Sequence, residues 1–138
     1  MKIGRGREVL SFYDWLPGHG ESEVEFRSER TDVIVAIQYD AEDGLREREL
    51  RFTTVCAFNM QAFPGPRMFD FPFEESGGSR LLKGGVVEYP DSDASRAWIN
   101  HFGGRRVVKH YSLILLSENK ILTVFAAKAS LSESRLVD

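Results

Sequence analysis

Three histidines, one cysteine and a few neighbouring carboxylates are the residues of this 138-residue chain whose types could carry chemistry. His19, His101 and His110 are spaced too widely to match a zinc-binding helix or a nucleophile–base signature. His110 shares a strand face with Val108, Ser112, Ile114 and Leu116, so it is either a satisfied buried imidazole or one directed into a pocket at the sheet end. His101 lies one helical turn beyond Ala97 and Trp98. If that helix crosses the strand that begins at Val107, the two imidazoles approach each other and a shared anion or metal site becomes conceivable. No metal or cofactor is otherwise expected.

Cys56 alternates with Phe52, Phe58 and Met60, which places it on an apolar face. A reactive thiol needs an electropositive, partly open setting, so the pattern predicts a packed one. Being the only cysteine, it also excludes an internal disulfide, a cysteine zinc site and a redox pair. Asp40, Glu42 and Asp43 occupy one turn, with too few oxygen ligands at alternate positions for a hard cation. Glu47 and Glu49 lie beside Arg46, Arg48 and Arg51, where cross-strand ion pairs explain them better than paired acid–base roles.

Three clusters combine glycine with basic residues: Gly4 to Arg7, Gly77 to Arg80 with Lys83, and Gly103 to Arg106. Flexible backbone exposes N–H groups and guanidinium groups bind anions. Convergence of these loops would assemble Arg80, Lys83, Arg105 and Arg106, with His101 and His110, into an anion or small-ligand site at one end of the sheet. None of the clusters is a P-loop, and turns or helix termination would require each glycine separately. A different candidate is the stretch from Ala62 to Arg80. There Phe63, Met68, Phe69, Phe71 and Phe73 lie near Pro64, Pro66 and Pro72; Phe69, Phe71 and Phe73 alternate as on one face of an extended segment, and Pro72 favours an edge strand or ordered loop. These side chains either close the core or form a patch for a protein partner or a second copy of the chain.

Such sites need a frame. Within Val107–Lys128, apolar residues fall on odd and even positions alike from Tyr111 to Leu116 and from Ile121 to Ala127, separated by Ser117 to Lys120, which predicts a central antiparallel hairpin covered on both faces. Residues 33–39 read as a buried strand that turns at Gly44 into a long partner, 45–60, whose alternation puts Leu50, Phe52, Thr54, Cys56, Phe58 and Met60 on one face. Residues 23–29 alternate as a half-exposed strand near an edge, and 81–89 read as a strand interrupted at Gly84–Gly85. Apolar spacing at Val9, Phe12, Tyr13 and Leu16 predicts a short helix over 8–16. Asp91 or Ser92 caps a second helix, 92–102, whose stripe of Ala94, Trp98 and Phe102 should dock on the sheet. Residues 1–7 are expected to form a mobile arm and 130–138 a frayed tail. The sum is an α+β fold, predominantly antiparallel, as a sandwich or strongly bent sheet in one domain spanning 1–138.

Composition narrows the function classes. The net charge of −3 argues against a dedicated nucleic-acid binder. With no membrane-length apolar run and one free thiol, a soluble cytoplasmic protein without a membrane partner is expected. The first expectation for function is a non-enzymatic interaction or assembly module, with a protein partner or itself. The second is a small-ligand or anion-binding domain. The third is an enzyme of a type its motifs do not reveal.

Overall fold

In the computed structural model, residues 2–62, 85–115 and 117–137 are described. Among them the chain forms eight strands and one helix. The strands are β1 (Arg7–Ser11), β2 (Glu23–Glu29), β3 (Asp32–Ala41), β4 (Gly44–Ala62), β5 (Gly85–Glu88), β6 (Lys109–Leu115), β7 (Lys120–Leu131) and β8 (Arg135–Leu136). The helix α1 (Asp93–His101) lies between β5 and β6. All strands join one antiparallel sheet of order β1-β5-β6-β7-β4-β3-β2, with β8 added alongside β4.

The predicted hairpin is indeed the middle of this sheet. From His110 to Leu115 every residue of β6 is buried, because both faces are covered. On one face Tyr111, Leu113 and Leu115 join Val35, Ile37, Leu50, Phe52, Val86, Leu122 and Val124 in the main core. On the other, Ile114 joins Val87, Tyr89, Ile121 and Ile3. The sheet is bent rather than paired with a second one. Trp15, just beyond β1, reaches Tyr39 on β3 at 4.8 Å between ring centroids, although four strands stand between β1 and β3 in the sheet. Curling closes one face into the core, so a single sheet does the work of a sandwich.

Several local expectations are overturned. The predicted helix over 8–16 is β1 followed by one turn. A bulge at Val9 shifts the strand's phase, and the Leu16 amide donates to the Phe12 carbonyl (2.8 Å), so strand and turn together imitate helical spacing. The arm is docked: Ile3 is buried, the Lys2 amide donates to the Asp93 carboxylate (2.9 Å), and the Asp93 amide donates to the Lys2 carbonyl (2.9 Å). The tail pairs too, through β8 and through Ser132, whose amide donates to the Glu49 carbonyl.

On β4 the alternation breaks twice. Thr54 takes a left-handed conformation (φ 53°) and Cys56 is the extra residue of a bulge, so Val55 rather than either packs toward the core. The kink is pinned by the β2–β3 turn: the Thr54 amide donates to Asp32 Oδ1 (3.0 Å) and the Val55 amide to the Thr31 carbonyl (2.8 Å). That amide, with the Arg51 guanidinium, holds the Asp32 carboxyl below its ordinary range.

At the start of β5 the space for a side chain is missing. A Cβ on Gly85 would sit 2.7 Å from the Leu10 carbonyl oxygen, on a backbone with φ +139°. Gly85→Ala is therefore expected to cost about 2 kcal/mol or more, combining left-handed strain with displacement of β1. Urea denaturation should show a lower midpoint with little change in slope.

Candidate functional site

The candidate site is the aromatic and basic surface formed by α1 and the turn that follows it. Ser92 caps the helix by accepting the Ser95 amide (3.1 Å), and Ser95 is the only buried residue of the helix. The expected docking of Ala94, Trp98 and Phe102 does not occur as a buried stripe. The helix has nine residues and slight contact with β6, so Trp98 and Phe102 remain half-buried while Ala97 and His101 are exposed. These rings pack on one another instead. Trp98 lies 5.9 Å from His101 and 6.1 Å from Phe102, and His101 lies 5.0 Å from Phe102. Spacing at i, i+3 and i+4 puts all three on one side.

Gly103 and Gly104 both have positive φ and turn the chain sharply after Phe102. The turn brings the Arg106 guanidinium over the Phe102 ring, 4.5 Å from its centroid. Arg105 and Arg106 are exposed, and neither has a carboxylate partner among the described residues. Most other arginines do: Arg7 pairs with Glu88, Arg27 with Glu49, Arg46 with Asp43, Arg51 with Asp32 and Glu29, Arg96 with Asp93, and Arg135 with Glu47. Beside the rings an open groove of about 300 Å³ is lined by Ala97, Trp98 and His101.

Of the six residues expected to gather around an anion, Arg106 and His101 both pack on the Phe102 ring, and the Arg105 amide donates to the Phe102 carbonyl (3.2 Å). His110 does not join them. It lies within the sheet, its ring 5.1 Å from Tyr89 and 4.6 Å from Phe125, sharing no ring neighbour with His101. Arg80 and Lys83 lie outside the described residues, as do Phe63, Met68, Phe69, Phe71 and Phe73. Among the described residues no group of three or more His, Cys, Asp or Glu could hold a metal, and no helix is long and apolar enough to cross a membrane.

Cys56 is half-buried at its bulge rather than in the core. Burial raises its thiol pKa, against an opposing pull from the Arg106 charge. The acidic turn is tied down by Arg46 on Asp43 and by His19, 3.5 Å from Asp40. Glu47 is buried and held by Arg135 and Gln38, not by the arginines beside it in sequence. Two further buried carboxylates escaped sequence reasoning. Glu88 takes Arg7 (3.1 Å) inside the curl and, after burial itself, helps push the Tyr111 phenol up to about 12. Glu21 accepts the Ser117 amide (2.8 Å) and the Glu118 amide (3.2 Å), bracing the hairpin turn. Neither partner lies near its glutamate in sequence, so no local pattern marked them. For Trp98 a signal did exist: from Ala94 to Ser117 the sequence holds no carboxylate.

Compared with known proteins, the chain matches no family model, no curated protein and no solved structure.

His110 is better understood as a buried structural imidazole. It is 7% exposed, its Nδ1 has no hydrogen-bond partner, and burial pushes its pKa down to about 4 from 6.5. Because the folded value lies below the unfolded one, the unfolded chain binds more protons between these limits. Stability is therefore full above pH 6.5 and declines as pH falls toward 4, by roughly 3 kcal/mol for this group. Subtracting the stability–pH curve of His110→Leu from that of the wild type should isolate this slope. An NMR titration should place the imidazole midpoint well under 6.

Proposed function

We propose that this chain is a non-enzymatic, cytoplasmic protein-interaction module that docks a partner on the aromatic face of α1. The observation that carries the reading is that Trp98, His101 and Phe102 pack on each other beside an open groove instead of on the sheet. Aromatic rings on a rigid element supply contact area at little entropic cost, and Trp, Tyr and Arg dominate binding hot spots. Arg106 stacked on Phe102 adds a second member of that group beside Trp98. A groove of about 300 Å³ is at the small end of ligand sites, which suits one inserted side chain better than an enclosed cofactor.

The enzyme reading has less to rest on. The histidines are dispersed: His19 beside Asp40 in an exposed loop, His101 among rings, and His110 among Tyr89 and Phe125. A general base needs a nucleophile or substrate proton within hydrogen-bond reach and an orienting partner, and none of the three has that set among the described residues.

Ala97→Glu tests the proposal because Ala97 is exposed, so the helix tolerates the change while the groove is filled. Peptides selected from an unbiased display library against the wild-type domain should lose binding to Ala97→Glu. If size-exclusion chromatography with light scattering finds a dimer, the same substitution should dissolve it. Failure to select any binder from a monomer, or binding and association indifferent to Ala97→Glu, would overturn the reading.

A further inference from the structure

We infer that the partner docked on α1 is an acidic peptide segment carrying an apolar anchor residue, an inference that rests on the docking reading above. The arrangement of charge in the molecule points this way. The chain as a whole is acidic, with a net charge of −3, yet no carboxylate interrupts it between Asp93 and Glu118. Within that window Arg105 and Arg106 protrude without carboxylate partners among the described residues, while most arginines elsewhere are neutralised. An Arg106 guanidinium held on Phe102, which packs on Trp98 of the groove, with exposed Arg105 next to it in sequence, satisfies two needs of one ligand: carboxylates for the fork-shaped donors and a side chain for the Trp98 groove.

The two halves are held in register by the fold. The glycine turn fixes Arg105 and Arg106 just beyond the last turn of α1, and stacking on Phe102 orients Arg106. His101 lines the groove and packs on the same Phe102 ring as the Arg106 guanidinium. At the other end of the helix, Asp93 pairs with Arg96 and Asp91 adds a further carboxylate, so the run of unpaired arginines does not continue there. Nine residues of helix span about 14 Å, so the positive field covers only a short stretch of a bound chain.

This short reach separates an acidic peptide from the other polyanions. Nucleic-acid binding draws on many phosphate contacts along a track of cations, and here the track ends within one helix length in an otherwise acidic molecule. A second copy is less suited, because a two-fold contact would set the arginines against Asp91 and Asp93 at the far end of the copy's helix, where Asp93 already pairs with Arg96. The favoured occupant is a foreign chain.

The test uses a fluorescently labelled synthetic peptide with a central Leu-Phe flanked by glutamates, read by anisotropy against the whole domain. Binding at 50 mM NaCl should weaken about tenfold by 300 mM, as expected for exposed charge pairs. Replacing Arg105 and Arg106 together with Gln should weaken it at least tenfold, and Ala97→Glu should do the same. Both arginines are exposed, so the double variant keeps the wild-type circular dichroism and melting temperature. Peptides with lysine for glutamate, or Gly-Ser for Leu-Phe, should bind at least tenfold more weakly.

Three outcomes overturn the inference. If display-selected peptides bind at α1 but are not acidic, the docking reading stands and the acidic partner falls. If an oligothymidylate or inorganic polyphosphate binds as tightly as the acidic peptide, the face recognises polyanions in general. A dimer dissolved by Ala97→Glu would make the partner a second copy.

Discussion

The structure depends on one constraint: β6 has no wet face. A strand buried on both sides needs cover twice, and each cover recruits a different part of the chain. Curling of the sheet supplies the first, bringing β3, β4 and the Phe12–Leu16 turn over Tyr111, Leu113 and Leu115. The second comes from the N-terminal residues, with Ile3 set against Val87, Tyr89 and Ile114. Burial of this kind stabilises by about 25 cal/mol per Å² of apolar surface, and it explains why short, locally weak elements hold their positions. Docking of Lys2 onto the capped start of α1 follows from the same demand, because the arm that covers β6 must pass the helix to reach it.

Much of this frame was legible in the residues themselves. Unbroken apolar character marked the β6–β7 hairpin, alternation marked β2 and the start of β4, and Ser92 with Gly103–Gly104 bracketed α1. Legibility failed where two backbone irregularities act in succession. Thr54 and the extra residue Cys56 reverse the side-chain phase of β4 and then restore it, so strict alternation assigned both to the core. It failed at Val9 for the same reason, since a bulge followed by a single turn has the spacing of a helix. Periodicity reports regular backbone only; Asp32 and Thr31, which pin the Thr54 kink, lie more than twenty residues away.

The candidate site was half legible. Glycines beside Arg105 and Arg106 suggested exposed guanidinium groups at a turn, and that is where they stand. The aromatic stripe was assigned to the core because apolar spacing does not say whether a helix is long enough to bury what it carries. With nine residues and Ser95 facing inward, α1 leaves Trp98 and Phe102 to shelter each other. His110, drawn toward function by its chemistry, belongs to the structural interior, where its missing hydrogen bond is offset by packing between Tyr89 and Phe125.

The glutamate that braces the hairpin turn bears on how the chain acquires its shape in time. Glu21 and Ser117 are 96 residues apart, and Lys2 and Asp93 are 91 apart. Such closures give a high contact order, which places folding among the slower topologies. During synthesis β4 must wait for β7, and β1 for β5, with their ladder groups unpaired in the meantime. The hinge of assembly is thus the last hairpin, because until it emerges β4 and β6 each keep an open edge that only β7 closes.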